Sequence, residues 1–172
     1  MILVHIAWDA VEGRGSVQSM RIAQFLEPGD VTVAVPPASK KEVLSALVDL
    51  LVSNHEDLNR EQLLQILLKR EELRSTGIEE GVAFPHGRVP GLENLLACFG
   101  RCRQGVDFDS FDGKPTHFFF VLLIPEHAQG SHLKALARLN RLFQNADFRA
   151  RVLEVEDASE VYKTIIEEDQ RC

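Results

Sequence analysis

The chain has little cysteine, and what it has forms no framework. Three cysteines are an odd count, and no second Cys or His pair joins Cys98 and Cys102 to complete a zinc set. Reduced thiols, as in a cytoplasm, are the expectation. No apolar run reaches the ~20 residues that cross a bilayer as a helix. The opening M-I-L-V-H-I-A-W-D-A lacks a basic n-region and meets Asp9 almost at once, so it makes a poor secretory signal. Positive charge is scarce as well: 19 Lys and Arg stand against 26 Asp and Glu, a net charge of −7. That argues against nucleic acid as a partner, which would need a basic face. It also argues against an anionic membrane surface, while leaving room for a local basic patch. Neither internal repeats nor low-complexity segments occur.

What is present is an ordinary globular composition, 45% hydrophobic and 26% charged, over 172 residues: enough for one domain with a buried core. Residues 1–19 read as a separate, flexible extension, since a brief apolar run gives way to V-E-G-R-G-S-V-Q-S. Translation could naturally begin at Met20, and the domain is expected over 20–172. One or two helical turns are predicted over 20–26, ending before Pro28-Gly29. A β-branched strand follows over 31–35 and stops at Pro36-Pro37. Ser39 caps a helix over 40–53 with Val43, Leu44, Leu47, Leu50 and Leu51 on one face. Asn59 with Gln62 gives a capping-box pattern for a second helix, which brings Arg70 near its C-terminal end. A strand is predicted over 95–102, a turn at Gln104-Gly105 and a polar loop over 109–115. H-F-F-F-V-L-L-I-P, residues 117–125, is too short for a membrane and too uniformly apolar for an edge strand, so it should be central and buried on both faces. Ser131 caps the next helix, Asp147 a short one, and Asp157 with Glu160 a last one with Val161, Tyr162, Ile165 and Ile166 inward. Strands alternating with helices give an α/β class, one sheet covered by helices.

The chemistry gathers in residues 70–88, R-E-E-L-R-S-T-G-I-E-E-G-V-A-F-P-H-G-R. This is poor helix and poor strand material. Gly77, Gly81 and Gly87 permit unusual backbone angles, and Pro85 fixes its own φ while pushing Phe84 towards an extended conformation. A shaped loop should therefore hold His86 at a strand end. Hydroxyls of Ser75 and Thr76, the Arg70 guanidinium and the N–H groups of Gly87 and Arg88 surround that imidazole in sequence, which suits a phosphoryl group. A neutral imidazole attacks phosphorus when its other nitrogen is held by a carbonyl or carboxylate. Catalysis is then positioning plus electrostatics, and neither a metal nor a cofactor is called for. His132 falls in the first turn of a helix, where the macrodipole favours anions and discourages its own protonation.

Plainer roles stay open at each position. Arg70 could satisfy carbonyls at a helix end, Ser75 and Thr76 could be turn residues, and His132 could be solvated. Asp107, Asp109 and Asp112 lack the Gly and Glu positions of a calcium loop, and E-G-R-G-S lacks the ending of a phosphate loop. His127 and His132, five residues apart, have no compelling metal spacing.

S-T-G-I-x-x-G-V-A-F-P-H-G-R, continued by G-S-H-L-K-A-L-A-R-L, resembles the type-2 enzyme IIA proteins of the bacterial phosphotransferase system. These are the mannitol/fructose-type domains and their nitrogen-regulatory relatives, and the likeness runs roughly over 20–169. It implies a single mixed β-sheet flanked by helices in three α/β/α layers. It also implies that His86 is phosphorylated, on Nε2, by the phosphohistidine of a small carrier protein, with His132 as second histidine and Arg70 at the phosphoryl group. P-H-G-R and the lack of an attached IIB or IIC segment lean towards the regulatory branch, whose partners would be regulated proteins. The sugar-specific alternative would pass phosphate to a IIB domain, and a third possibility is a binding module that transfers nothing. Phe84 stands where members often have Ile, and Glu79-Glu80 where they often have Gly-Asn.

Overall fold

The computed structural model describes residues 20–172, so the expected extension over 1–19 lies outside the described residues. Along the chain follow a 3-10 turn at Ile22–Gln24, strand β1 (Leu26–Thr32) and helices α1 (Lys40–Asn54) and α2 (Arg60–Leu73). Strands β2 (Val82–Ala83), β3 (His86–Val89), β4 (Leu96–Val106) and β5 (Thr116–Pro125) come next, then helices α3 (Ser131–Phe143), α4 (Ala146–Glu154) and α5 (Ala158–Arg171).

The apolar run is the middle of this arrangement. Side chains alternate across a strand, so β5 feeds two cores. Phe118, Phe120, Leu122 and Ile124 join Leu139, Phe143, Phe148 and Ile165 from the three C-terminal helices. Phe119, Val121 and Leu123 join Leu44, Leu47, Leu63 and Leu67 from α1 and α2. The sheet is thus covered on both faces, giving three α/β/α layers. Strand order is β1-β4-β5-β2, and β3 pairs with β5 beyond β2, so β2 and β3 share one edge. β1 runs parallel to β4, β4 antiparallel to β5, and β2 and β3 parallel to β5, which makes the sheet mixed.

Several local expectations shift. β1 begins at Leu26 and carries Pro28-Gly29 inside it, where the pairing register with Ala97 and Phe99 jumps between Leu26 and Val31. A bulge on an edge strand tolerates the missing Pro N–H. Gln104-Gly105 makes no turn: β4 runs on to Val106, with Gly105 at φ +81° and an irregularity between Arg101 and Val106. Gly130, at φ +85°, precedes α3 in place of Ser131, which is its first helical residue. Asn145 caps α4, accepting from the N–H groups of Asp147 and Phe148, so Asp147 sits inside the first turn. Ser39, Asn59 and Asp157 do cap their helices through their side chains.

Candidate functional site

α2 and β3 meet where β3 has no side chain. A Cβ on Gly87 would lie 2.4 Å from Ile66 Cγ2, so only glycine lets α2 rest this close. Arg70 is one helical turn beyond Ile66 and shares its face. The same contact therefore carries Arg70 to His86, near enough for its charge to act on the imidazole. The Arg70 guanidinium also donates to the Arg74 carbonyl at 2.8 Å, closing the end of α2.

His86 opens β3 and is half-buried. Its Nδ1 lies 2.8 Å from the Phe84 carbonyl oxygen. A carbonyl only accepts, so Nδ1 carries the proton and Nε2 keeps a free lone pair. The loop behind it is tied at three points. Phe84 N–H donates to the Thr76 carbonyl at 3.1 Å, the Pro85 carbonyl accepts from Leu122 N–H at 2.9 Å, and Ile78 N–H reaches the Val82 carbonyl at 2.8 Å. The Phe84 ring turns into the core beside α3, 6.1 Å from the Phe143 ring centre, so the bulkier residue is absorbed by packing away from the imidazole. Burial pushes the His86 pKa below the ordinary value of 6.5; the charges of Arg70 and His132 push the same way, while the Phe84 carbonyl and Glu71 oppose them. The ring is neutral at neutral pH.

His132 stands on the first turn of α3, and its Nδ1 is buried with no hydrogen-bond partner among the described residues. Burial lowers its pKa, with Arg88 adding to the effect. Arg88 itself spends its guanidinium on the loop between β5 and α3, donating to the carbonyls of Pro125, Glu126 and Ala128 at 3.4, 2.9 and 3.3 Å. β3 is an edge strand, so alternate peptide N–H groups along Gly87 and Arg88 face away from β5.

The two hydroxyls are placed differently from the imidazole pair. Ser75 Oγ donates to the Phe108 carbonyl at 2.7 Å and accepts from Gly77 N–H at 3.1 Å. Thr76 is buried, and its hydroxyl donates to Glu71. Both protons are thus committed to protein acceptors, as in a turn. Glu71 is the participant that sequence reasoning passed over. It also accepts from Lys40 Nζ at 3.1 Å, and Lys40 bridges on to Asp109 at 3.1 Å. A glutamate beside an arginine is too common a pair to signal this, and Lys40 lies far away in sequence.

Elsewhere, Glu27, Asp30 and His55 bring three donor atoms within 4.8 Å of one another. The fully buried Asp30 already accepts from Asn54 at 3.0 Å and pairs with His55 at 2.7 Å, an arrangement that braces β1 against the end of α1. An open cleft of about 770 Å³ runs past the start of α3, lined by Phe25, Leu92, Pro125, His127 and Ser131 among others; His86 is not in its wall.

Residues 24–168 match the family model described as phosphoenolpyruvate-dependent sugar phosphotransferase system, EIIA 2. The chain belongs to this family. A nitrogen regulatory protein of Bradyrhizobium diazoefficiens is 36% identical over 146 residues, covering 85% of this chain and 95% of that protein. One from Pseudomonas aeruginosa is 34% identical, covering 86% and 96%. The crystal structure of the nitrogen regulatory protein IIA-Ntr from Neisseria meningitidis superposes with a TM-score of 0.77 at 34% identity, over 84% of this chain and 98% of that one. The three-layer EIIA 2 architecture is therefore shared, and no described helix is long and apolar enough to cross a membrane.

Proposed function

We propose that the protein is a phosphocarrier of the nitrogen-regulatory IIA type, working in the cytoplasm, with residues 20–172 as its IIA domain. The observation that carries this is the His86–Phe84 bond, which leaves Nε2 as the free nucleophile in a ring kept neutral by burial. His86 Nε2 attacks the phosphorus held by the phosphohistidine of a small carrier protein. The donor N–P bond breaks as the Nε2–P bond forms, and the proton on Nδ1 stays where it is. Arg70 and an outward N–H of β3 face the charge on the phosphoryl oxygens, and the His132 imidazole, its proton affinity lowered by burial, is a further neutral donor to them. Phosphorylation would place new negative charge at His86 beside Arg70 and so change which proteins dock there.

Intact-mass measurement after incubation with phosphoenolpyruvate, enzyme I and the carrier tests this. One acid-labile phosphate is expected on wild type, none on His86→Ala, and slow uptake on His132→Ala. Phosphate retained by His86→Ala overturns the site. Efficient onward transfer to a IIB domain overturns the regulatory assignment in favour of a sugar-specific IIA.

A further inference from the structure

Within residues 70–88, Glu71 is the charged side chain that is buried, with 7% of its surface exposed. A buried carboxylate has to be hydrogen-bonded to be tolerated. Its two oxygens accept the Thr76 N–H at 3.1 and 3.2 Å, the Thr76 hydroxyl, and Lys40 Nζ at 3.1 Å. All of these are donors, so the site needs a group that only accepts. An amide would turn its NH₂ on one of them.

These bonds lead to the imidazole. Thr76, held by Glu71, offers its carbonyl to Phe84 N–H at 3.1 Å. Phe84 offers its own carbonyl to His86 Nδ1 at 2.8 Å. Glu71 thus anchors one arm of the loop, and the other arm, hung on it, sets the acceptor that selects the His86 tautomer. Lys40, lying 4.7 Å from the centre of the Phe108 ring and tied to Asp109, fixes the carboxylate from the far side. The charged groups that act on His86 are Arg70 and Glu71 from α2 and His132 from α3; Glu71 alone among them favours the protonated ring.

We infer that Glu71 is a positioning residue for phosphoryl acceptance: it holds Thr76, and through the Phe84 carbonyl it fixes the tautomer and aim of His86. This rests on His86 being the phosphorylated residue.

The test uses the full chain carrying Glu71→Gln. Long-range ¹H–¹⁵N correlation spectra report the tautomer and titration of His86. Single-turnover uptake from the phosphorylated carrier, over a range of carrier concentrations, separates docking from chemistry. In Glu71→Gln the Nδ1–H tautomer should lose its dominance and His86 should titrate at lower pH. The rate at saturating carrier should fall about 10- to 100-fold. The half-saturating carrier concentration should stay within about twofold. Glu71→Asp, which restores the charge, should recover part of the rate. Thr76→Val removes the hydroxyl from this relay while sparing the carboxylate and the Thr76 N–H bonds to it, so a smaller loss in the same direction is expected, and it decides the matter should Glu71→Gln fail to fold. A folded Glu71→Gln or Thr76→Val protein with wild-type tautomer and rate overturns the inference. His86→Ala runs alongside. If it takes no phosphate while Glu71→Gln behaves as wild type, only the role of Glu71 falls. If His86→Ala still takes phosphate, the assignment of the site falls with it.

Discussion

His86 Nδ1 and the Phe84 carbonyl oxygen are 2.8 Å apart, across a single proline. Pro85 fixes its own φ, and its ring disfavours the helical conformation at Phe84. The tautomer of the imidazole is therefore set by its two preceding neighbours, provided the Phe84 peptide stays pinned to Thr76. A tautomer fixed this way presents the same nitrogen to every incoming group.

The pH dependence of phosphate uptake follows from the ring environments. Burial, then Arg70 and His132, lower the proton affinity of His86; burial, then Arg88, lower that of His132. The rate should hold level down to about pH 6.5, the ordinary imidazole midpoint, and fall only below it. Stability carries the same sign. Both rings bind protons more weakly folded than unfolded, so their contribution is intact above about pH 6.5 and is lost as pH falls through the lowered folded values. Urea midpoints at pH 7.5 and 5.5 should show a drop that shrinks in a His86→Ala, His132→Ala protein. A rate already half lost at pH 7 would contradict the shifts.

Gly87→Ala places a methyl 2.4 Å from Ile66 Cγ2, a contact that real structures do not hold. α2 must lift or Ile66 must turn, at a cost of about 1–3 kcal/mol for an overpacked contact. Arg70 rides on the same face of α2, so phosphate uptake should fall along with stability. Adding Ile66→Ala removes the clashing group. The double variant should recover uptake relative to Gly87→Ala, a favourable coupling in the cycle. Thermal melts and single-turnover rates on the four proteins check both halves; strict additivity would show that the two residues do not meet.

Much of the fold is legible because its signals are local. The nine-residue apolar run 117–125 has no other way to be buried than as a central strand between two helix layers. Ser39, Asn59 and Asp157 each stand as the nearest good cap before an apolar stripe. Elsewhere two good candidates compete within two residues. Gly130 wins over Ser131 because the chain enters α3 at positive φ, and Asn145 wins over Asp147 because its side chain reaches both free N–H groups. Propensity ranks such neighbours almost equally. Pro28-Gly29 reads as a stop, yet an edge strand accepts it, and being an edge is a tertiary fact. At the site, the Pro-His-Gly turn marks the imidazole, while the Lys40–Glu71 pair joins helices α1 and α2 and leaves no trace in local pattern.

Arg88 offers the last test, because its guanidinium is spent on protein carbonyls and still bears on the chemistry. It holds Pro125, Glu126 and Ala128, the residues through which β5 hands over to α3 and His132. Arg88→Met keeps the length and apolar stem but donates nothing. The loop should loosen and His132 lose its placement, slowing phosphate uptake about tenfold, the usual scale for a residue that orients a catalytic partner. In a His132→Ala background the same change should cost little, since there is no longer an imidazole to place. A guanidinium that instead drew the donor in by charge would slow uptake equally in both backgrounds, and its effect would fade as salt is raised from 0.01 to ~0.5 M. Single-turnover rates on the four proteins at two salt concentrations separate these outcomes. Equal losses that vanish with salt would remove Arg88 from the support of His132 and make it part of the docking surface.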